Sequence, residues 1–432
     1  MTILLDLIYV LLVCVGWPYL VYRRLKRGPG SIALRERLGR VPSRPVSGRC
    51  VWIHAVSLGE VNAARTLVDD LRRRSPETVV VVSSTTQTGL ERARALYPKL
   101  EVFRFPLDFS FVIRALLSRI RPSIIVLMEL EMWPNLLEVA ATRDIPVVIA
   151  NGRVTVEKSM RRFNRPLIRR LSRRMFAKLR WVGAQDETYA ARFVELGVPP
   201  ERVQVTGSLK YDAADTVDRI EGQDELAEQM GISPAQPLWV CGSTGPGEEA
   251  LILTAYANLL DEFPELQLAI VPRKPERFDQ VAQLIVERGF ACLRRSTGSP
   301  AVPSGVSEPR PVFLGDTMGE LRKFYALATV VFVGRSLVPM GGSDVMEVAG
   351  LAKPILVGPH TENFTEAVDI LLGAGAAQRV ERADALAPAV AELLRDERRR
   401  ARRGLAGRRA IMARRGATER TVDQIVNLSS QP

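Results

Sequence analysis

The chain has 432 residues, too many for one hydrophobic core, and this length predicts two domains of about 200 residues each. Apolar residues make up 47% and charged residues 25% of the sequence, which is an ordinary globular composition. The 60 Lys and Arg residues exceed the 48 Asp and Glu residues, and the net charge of +12 favours an acidic partner such as a phosphate, a nucleic acid or an anionic membrane.

The N-terminus carries an apolar run, "ILLDLIYVLLVCVGWPYLVY", close to the length that crosses a bilayer as a helix. Asp6 and the Gly16-Trp17-Pro18 break interrupt it. No positive charge precedes the run and no small-residue cleavage site follows, so it is not a signal peptide. Instead Arg23, Arg24, Lys26 and Arg27 follow, which places the rest of the chain in the cytoplasm. We expect residues 1–22 to be an uncleaved anchor that spans the membrane or lies on it, with a buried core helix as the alternative.

Short β-branched runs alternate with helical periodicity from residue 50 onward, which predicts parallel sheets with helices on both faces. We assign residues 23–211 to a first α/β domain, 212–236 to a polar linker, 237–385 to a second α/β domain and 386–432 to basic helices. The predicted strands of the two domains begin in the segments 51–56, 78–85, 123–129, 145–151, 181–186, 203–208, 237–244, 266–275, 311–316, 330–334 and 354–359.

Ligands of open α/β sheets bind beyond the carboxyl ends of the strands, so the strand-to-helix loops are the informative segments. Two such sets of loops facing each other would line a central cleft. In the first half, Glu60, Glu131 and Lys210 each lie in a strand-to-helix loop. Together they form a candidate acid/base and charge-stabilising set. The alternative for Glu60 is a structural role, in which a negative side chain in the first turn of a helix is stabilised by the helix dipole.

Three loops of the second half have the composition of a nucleotide site. Arg273 follows a predicted strand, and Met318-Gly319 lie at a helix start where backbone donors would hold a base or a phosphate. Gly341-Gly342 precede another helix, in which Glu347 is placed to accept hydrogen bonds from ribose hydroxyls. The alternatives are an exposed basic turn at Arg273 and a purely structural loop at Gly341-Gly342.

Other motifs exclude competing functions. The segment "GSTGPGEE" lacks the Lys-Ser/Thr of a nucleoside triphosphatase loop and fits a turn capped by acidic residues. No D-x-D motif is present, and with two histidines and four scattered cysteines we expect no metal and no cofactor. The basic runs lack interleaved aromatic residues, which argues against nucleic acid.

Several segments, in this order, resemble the 3-deoxy-D-manno-octulosonic acid (Kdo) transferases of lipopolysaccharide biosynthesis. They are "SLGE", "ELEMWPN", "VTGSLKYD", "GSTGPGEE", "PRKPERF", "GDTMGEL", "FVGRSLVPMGGSDVMEVAG" and "GPHTENF". The resemblance implies a GT-B fold of two Rossmann-like domains facing a central cleft, CMP-Kdo as donor and lipid IVA as acceptor. It also implies a location on the cytoplasmic face of the inner membrane.

The resemblance also implies residue roles. Glu60 would be the general base of an inverting transfer, and Glu131 and Lys210 would stabilise the transition state. The segments that match the CMP-binding positions contain Pro272, Arg273, Met318, Gly319, Glu320, Asp344, Val345, Met346 and Glu347. This chain departs from the family at positions where histidine or asparagine is usual, and these departures leave donor affinity and identity open: Gly245, Lys274, Ser343 and Asp344.

Two alternatives remain: a GT-B transferase that uses another nucleotide sugar on a lipid acceptor, and a membrane-tethered nucleotide-binding protein without catalysis. The membrane prediction has a second support in the segment "RRFNRPLIRRLSRRMFAKLR" (161–180), which holds cationic residues and no acid. Phe163, Leu167, Leu171 and Met175 recur every four residues, so we expect one apolar stripe on a cationic helix facing the anionic leaflet.

Overall fold

The computed structural model describes residues 2, 5–7, 9–11, 37–39, 41–44, 48–298, 300–303, 305 and 309–430, without the side chains of Lys158 and Leu167. These residues fall into two units. The first consists of Met1–Ala213 and Arg414–Pro432, and the second of Ala214–Ala413. Most of the predicted anchor, 1–22, lies outside the described residues. No helix in the described part of the chain is long and apolar enough to cross a membrane.

The first unit is built on a seven-stranded sheet in the order β3-β2-β1-β4-β5-β6-β7. Its neighbouring strands all pair in parallel. The strands are β1 (Cys50–His54), β2 (Val79–Ser84), β3 (Glu101–Arg104), β4 (Ile124–Met128), β5 (Val147–Gly152), β6 (Trp181–Ala184) and β7 (Val203–Val205).

Helices connect these strands. They are α1 (Leu58–Arg74), α2 (Gln87–Leu96), α3 (Ser110–Ile120), α4 (Pro134–Ala141), α5 (Arg161–Phe163), α6 (Pro166–Phe176), α7 (Glu187–Leu196) and α8 (Leu209–Ala213). A π-helical turn, Val156–Met160, and a 3-10 turn, Pro200–Arg202, complete the set. The predicted basic helix 161–180 is therefore not continuous, because Pro166 disfavours helical geometry at the residue before it and starts a new helix.

Both faces of this sheet are buried. In β1, Trp52 belongs to the apolar cluster on one face, whereas Val51 and Ile53 belong to the cluster on the other. Side chains of a strand alternate between faces, so a strand covered on both sides is apolar throughout. This explains why the strands are continuous β-branched runs in the sequence.

The second unit has an eight-stranded sheet in the order β11-β10-β12-β9-β8-β13-β14-β15, parallel except for β11. Its strands are β8 (Leu238–Thr244), β9 (Gln267–Pro272), β10 (Ala291–Arg294), β11 (Pro300–Ala301), β12 (Pro311–Leu314), β13 (Val330–Val333), β14 (Ile355–Val357) and β15 (Ala377–Arg379). The prediction of two parallel-sheet α/β units is confirmed.

The remaining helices follow in chain order. They are α9 (Gln223–Met230), α10 (Glu248–Leu259), α11 (Phe278–Glu287), α12 (Leu321–Leu327), α13 (Met346–Gly350), α14 (Thr365–Gly373), α15 (Leu386–Arg395), α16 (Glu397–Met412) and α17 (Ala417–Ser429), with 3-10 turns at Pro275–Arg277 and Ala383–Ala385.

The observed unit boundaries differ from the assigned domains in two places. The segment 212–236, assigned as a linker, contains α9, which lies in the second unit and buries Leu226 and Met230. The basic segment 386–432 is divided between the units, because α17 belongs to the first unit. Val422 and Ile425 of α17 are buried in the same apolar cluster as residues of α1, and this burial holds α17 on the first unit.

Candidate active site

The first unit collects its predicted site residues at the carboxyl edge of the sheet. Because β1, β4 and β7 are strands of one parallel sheet, the loops that follow them lie along the same edge. Glu60 follows β1, Glu131 follows β4 and Lys210 follows β7. The sheet order therefore brings together loops that are far apart in sequence.

Glu60 lies in the first turn of α1, and its carboxylate turns back to the start of the helix. Glu60 Oε2 accepts a hydrogen bond from the backbone N–H of Val56 at 2.9 Å, and Glu60 Oε1 accepts one from Ser57 Oγ at 2.9 Å. Ser57 Oγ in turn accepts a hydrogen bond from the backbone N–H of Glu60, at 3.4 Å. This reciprocal Ser-x-x-Glu arrangement is a capping box, so Glu60 has a structural role in starting α1.

The same carboxylate also has the protonation behaviour of a base. Burial raises the pKa of Glu60 to about 7, with a further increase from the charge of Glu129 and a partial decrease from the Val56 and Ser57 hydrogen bonds. Burial also raises the pKa of Glu131 to about 7, and the neighbouring charge of Glu60 adds to it. Arg162 acts in the opposite direction on Glu131. A carboxyl with a pKa near neutrality is suited to take up a proton during a reaction.

Aromatic rings lie beside this edge. The ring of Phe105 lies 4.2 Å from that of His54 and 4.6 Å from that of Trp133, measured between centroids. His54 is fully buried, and burial lowers its pKa to about 3, so the imidazole is neutral. Its Nδ1 lies 2.9 Å from Ser83 Oγ. We therefore assign His54 a packing role next to the loop that carries Glu131.

Lys210 is held at its position through the backbone. Lys210 is exposed on α8, and the preceding N–H of Leu209 donates to Asn151 Oδ1 at 3.1 Å. Asn151 is the second-last residue of β5, has a left-handed conformation with φ of 57° and is fully buried. An asparagine tolerates this conformation better than most side chains do. Asn151 thus links the end of β5 to the start of α8 at the carboxyl edge of the sheet.

The second unit places the glycine-rich loops after β8 and β13 around one buried carboxylate. Glu248 Oε2 accepts from the N–H of Gly245 at 2.8 Å and from that of Arg335 at 2.5 Å. Glu248 Oε1 accepts from the N–H groups of Ser336 and Leu337 at 2.8 and 2.9 Å. Glu248, at the position where a phosphate-binding loop would have a lysine, therefore connects the loop after β8 to the loop after β13.

Arg273 is an exposed residue directly after Pro272, the last residue of β9. Its N–H donates to the carbonyl of Thr244 at 3.1 Å, which fixes its backbone beside the end of β8. The guanidinium is left accessible to an anion.

The "GDTMGE" loop separates into accessible and engaged residues. Met318 is 67% exposed, and Gly319 has φ of 90° with open space where a side chain would begin. The Glu320 carboxylate instead accepts hydrogen bonds from Arg295 Nε at 2.9 Å, from Thr317 Oγ1 and from Lys323 Nζ. These hydrogen bonds lower the pKa of Glu320 to about 2. Of the three predicted residues, Glu320 is the one occupied by the protein's own contacts.

The predicted segment 344–347 leads into α13. Asp344 Oδ1 accepts from the N–H of Met346 at 2.8 Å, while Val345 and Met346 are buried. Burial raises the pKa of Glu347 to about 7; Asp344 adds to the increase, whereas the charges of Arg322 and Arg273 oppose it. The structure thus brings two predicted residues, Arg273 and Glu347, within electrostatic reach of each other.

Of the departures from the family pattern, one has a local explanation. A side chain at position 245 would begin 2.7 Å from Met340 Sδ, so Gly245 leaves room for this methionine. Ser343 is buried, and its hydroxyl has no hydrogen-bond partner among the described residues. Lys274 is exposed beside Arg273.

No group of three or more His, Cys, Asp or Glu residues in the described ranges is arranged to hold a metal.

Sequence reasoning missed some contributors to the site. Asp108, Asn151 and Tyr325 are buried polar residues that belong to none of the predicted sets. Tyr325 packs on the backbone of Gly242, where a side chain would begin 2.3 Å from the phenol oxygen. Glycine within a strand was an available signal for such a close approach.

Comparisons with known proteins agree with this architecture. Residues 33–213 match the family described as 3-Deoxy-D-manno-octulosonic-acid transferase (kdotransferase). The 3-deoxy-D-manno-octulosonic acid transferase of Haemophilus influenzae is 36% identical over 376 residues, 86% of each chain. That of Bordetella pertussis is 34% identical over 422 residues, 94% of each chain.

A solved glycosyltransferase from Rickettsia africae shares the fold, with a TM-score of 0.59 at 10% identity over 89% of this chain and 100% of that one. The family match lies within the first unit, whereas the two relatives extend over both units, and the resemblance found in the sequence motifs is confirmed. The chain is a glycosyltransferase and belongs to the 3-deoxy-D-manno-octulosonic acid transferase family.

Proposed function

We propose that this enzyme transfers Kdo from CMP-Kdo to lipid IVA with inversion at the anomeric carbon, and that Glu60 is the general base. The observation that carries the assignment of the base is the buried Glu60 carboxylate after β1, whose pKa is raised to about 7. A hydroxyl of the acceptor loses its proton to this carboxylate as its oxygen bonds to the anomeric carbon. The bond from that carbon to the phosphate oxygen breaks, and CMP leaves.

Glu131 and Lys210 complete the proposed machinery of the first unit. Positive charge develops on the sugar ring in an oxocarbenium-like transition state, and the carboxylate of Glu131 stabilises it. The ammonium of Lys210 compensates negative charge on the carboxylate of Kdo or on the departing phosphate. Lys210 is exposed and its backbone is held through Asn151, which supports a fixed position for the cation.

In the second unit, Arg273 binds the phosphate of CMP and Glu347 accepts hydrogen bonds from the ribose. Arg273 supports this proposal through its exposed guanidinium at a strand end, and Glu347 through its position next to that charge. The backbone donors around Met318-Gly319 are open to a base, whereas Glu320 contributes by holding the loop. The chemistry described requires no metal or cofactor.

We also propose that the first unit works on the cytoplasmic face of the inner membrane, against the anionic leaflet. The N-terminal segment has helical residues at 5–7 and 9–11, and it exposes Leu7, Val10 and Leu11. The helices α5 and α6 and the residues between them expose cationic side chains, while Phe163 and Met175 are buried. These exposed cations are Arg161, Arg162, Arg165, Arg169, Arg170, Arg173 and Arg174. An apolar face next to cationic helices suits an anionic lipid surface.

The test is incubation of the full chain with CMP-Kdo and lipid IVA, followed by mass spectrometry of the lipid. We expect a lipid product carrying Kdo, and the number of additions is read from the same spectrum. A parallel reaction with UDP-sugars tests the donor, because Gly245, Lys274 and Ser343 depart from the family at the donor loops. Transfer from a UDP-sugar alone would overturn the donor assignment, and binding of CMP without any transfer would indicate a protein without catalysis.

A further inference from the structure

Two helices next to the catalytic edge have no cap of their own. The helix α3 starts after Phe109 and α4 starts after Trp133, and neither residue supplies a side-chain hydrogen bond to its helix. The first N–H groups of a helix have no partner within it and need acceptors from elsewhere. Both helices receive a carboxylate from another part of the chain.

The helix α4 is capped by Asp108. Asp108 Oδ2 accepts from the N–H of Asn135 and Oδ1 from the N–H of Leu136, both at 2.9 Å. Asp108 is buried, and burial raises its pKa to about 7, whereas the hydrogen bonds from Asn135 and Leu136 lower it in part. The start of α4 therefore depends on where the Asp108 carboxylate is held.

The helix α3 is capped by Asp6, from the apolar N-terminal run. Asp6 Oδ1 accepts from the N–H of Ser110 at 2.9 Å, and Asp6 Oδ2 accepts from the hydroxyl of Ser110 at 2.6 Å. An acidic residue within an apolar run is thereby explained by its contact with the first unit. The Asp6 carboxylate is thus held by the first unit.

The side chain of Asn135 joins the two caps. Its Nδ2 donates to Asp6 Oδ1 at 2.9 Å and to the carbonyl of Asp108 at 2.6 Å. The hydroxyl of Tyr9 donates to Asp108 Oδ2 at 3.3 Å, so Tyr9 belongs to the same hydrogen-bond network as Asp6, Asp108 and Asn135. Asn135 is fully buried, so loss of Asp6 leaves one donor of its amide without an acceptor in the protein interior.

This network ends at the loop that carries Glu131. The loop between β4 and α4 has no regular secondary structure, and Trp133 immediately precedes the capped turn. We propose that Asp6 and Tyr9 are positioning residues for Glu131, acting through Asp108 and Asn135. The N-terminal segment is then part of the catalytic structure as well as of the membrane contact. This inference rests on the role proposed for Glu131.

The two roles of the segment lie on different faces. Asp6 and Tyr9 contact the first unit, whereas Leu7 and Leu11 are 62% and 65% exposed. The residues that contact the first unit are therefore different from those that are exposed, and the two sets can be changed separately. Kinetics measured in detergent micelles at saturating acceptor therefore report on positioning and not on recruitment to a membrane.

The central experiment replaces Asp6 by Leu in the full chain. We expect kcat to fall about tenfold, as for loss of transition-state stabilisation, while KM for CMP-Kdo and the Kd for CMP stay within about twofold. Asp396→Leu is the matched control, because Asp396 caps α16 in the second unit through the N–H of Arg399. We expect this control to lower stability and to leave kcat unchanged.

Hydrogen exchange supplies a readout independent of activity. In Asp6→Leu the amides of Asn135 and Leu136 are expected to exchange faster than in the parent, while those of α1 are unchanged. Asp6→Asn keeps the size of the side chain and replaces Asp6→Leu in the experiment if that variant does not fold. We expect Asp6→Asn to lower kcat at least about threefold. Parental kcat with unaltered exchange at α4 would overturn the inference. A parent that transfers no Kdo would overturn the proposed function, and the exchange result would still decide the coupling.

Discussion

Glu60→Gln separates the two roles that the structure gives to this residue. A glutamine has the same shape, so its oxygen still accepts from the N–H of Val56 and its amide group still reaches Ser57 Oγ, the two partners that lie 2.9 Å from the carboxylate. The capping interaction is retained, whereas the ability to take up a proton is lost. General-base catalysis typically contributes about 10²–10⁴-fold, and we expect turnover to fall within this range.

The same substitution is expected to stabilise the fold at alkaline pH. Burial raises the pKa of Glu60 from its ordinary value of 4.5 to about 7 in the folded protein. The folded state therefore holds this proton more tightly than the unfolded state, and the parent loses stability as the pH rises from about 4.5 through about 7. One pKa unit corresponds to about 1.4 kcal/mol, so the accumulated cost above neutrality is on the order of 3 kcal/mol.

Denaturant unfolding at a series of pH values, combined with the mass-spectrometric transfer assay, measures both effects. The free energy of unfolding of Glu60→Gln should exceed that of the parent by on the order of 3 kcal/mol near pH 8, and the difference should vanish toward pH 4. Turnover within about threefold of the parent would show that Glu60 is only a capping residue, and a difference in stability independent of pH would refute the burial argument.

Four further outcomes follow from the geometry. Arg273→Ala should weaken CMP binding about tenfold or more, since one charge-assisted hydrogen bond contributes about 1.5–3 kcal/mol, and isothermal titration would reveal an unchanged Kd if the assignment is wrong. The kcat/KM of the parent should rise with pH and level off above about 7 as Glu60 and Glu131 ionise. A kcat/KM that does not change with pH near neutrality would contradict the assignment of Glu60 as general base. Glu248→Ala should lower the melting temperature of the second unit and weaken CMP binding, because four backbone N–H groups lose their acceptor; unaltered melting argues against the loop connection. In a chain lacking residues 1–22, binding to anionic vesicles should persist at low salt, weaken with salt, and disappear in flotation when Gln replaces Arg169, Arg170, Arg173 and Arg174.

The elements that the sequence predicted well are those with a local signal. Strands buried on both faces are apolar throughout, and the loops after them collect glycine and charge, so both sheets and the loops of Glu60, Glu131 and Arg273 were accessible from the pattern. The order of the strands within each sheet was not predicted from the pattern. The family resemblance added residue roles that no periodicity contains.

The contacts that the sequence did not predict join distant segments. Glu248 lies 87 residues before Arg335, and Asp6 lies 104 residues before Ser110, so neither pairing has a local signature. The helix α9 was assigned to a linker because its acidic residues dominate the segment, although Gly222 and Gly231 flank it in left-handed conformations typical of helix ends. The apolar stripe of α17 was obscured by the charge of the basic residues before it.

The position of α17 has a consequence for biosynthesis. Residues up to Ala213 leave the ribosome long before α17, yet the first unit buries Val422 and Ile425. A nascent chain therefore carries an incomplete first unit, with an apolar surface on α1 uncovered, until about residue 429 has been synthesised. The second unit is contiguous and is able to fold earlier, although it is translated later. A premature stop within α17 would thus impair the half of the enzyme encoded first.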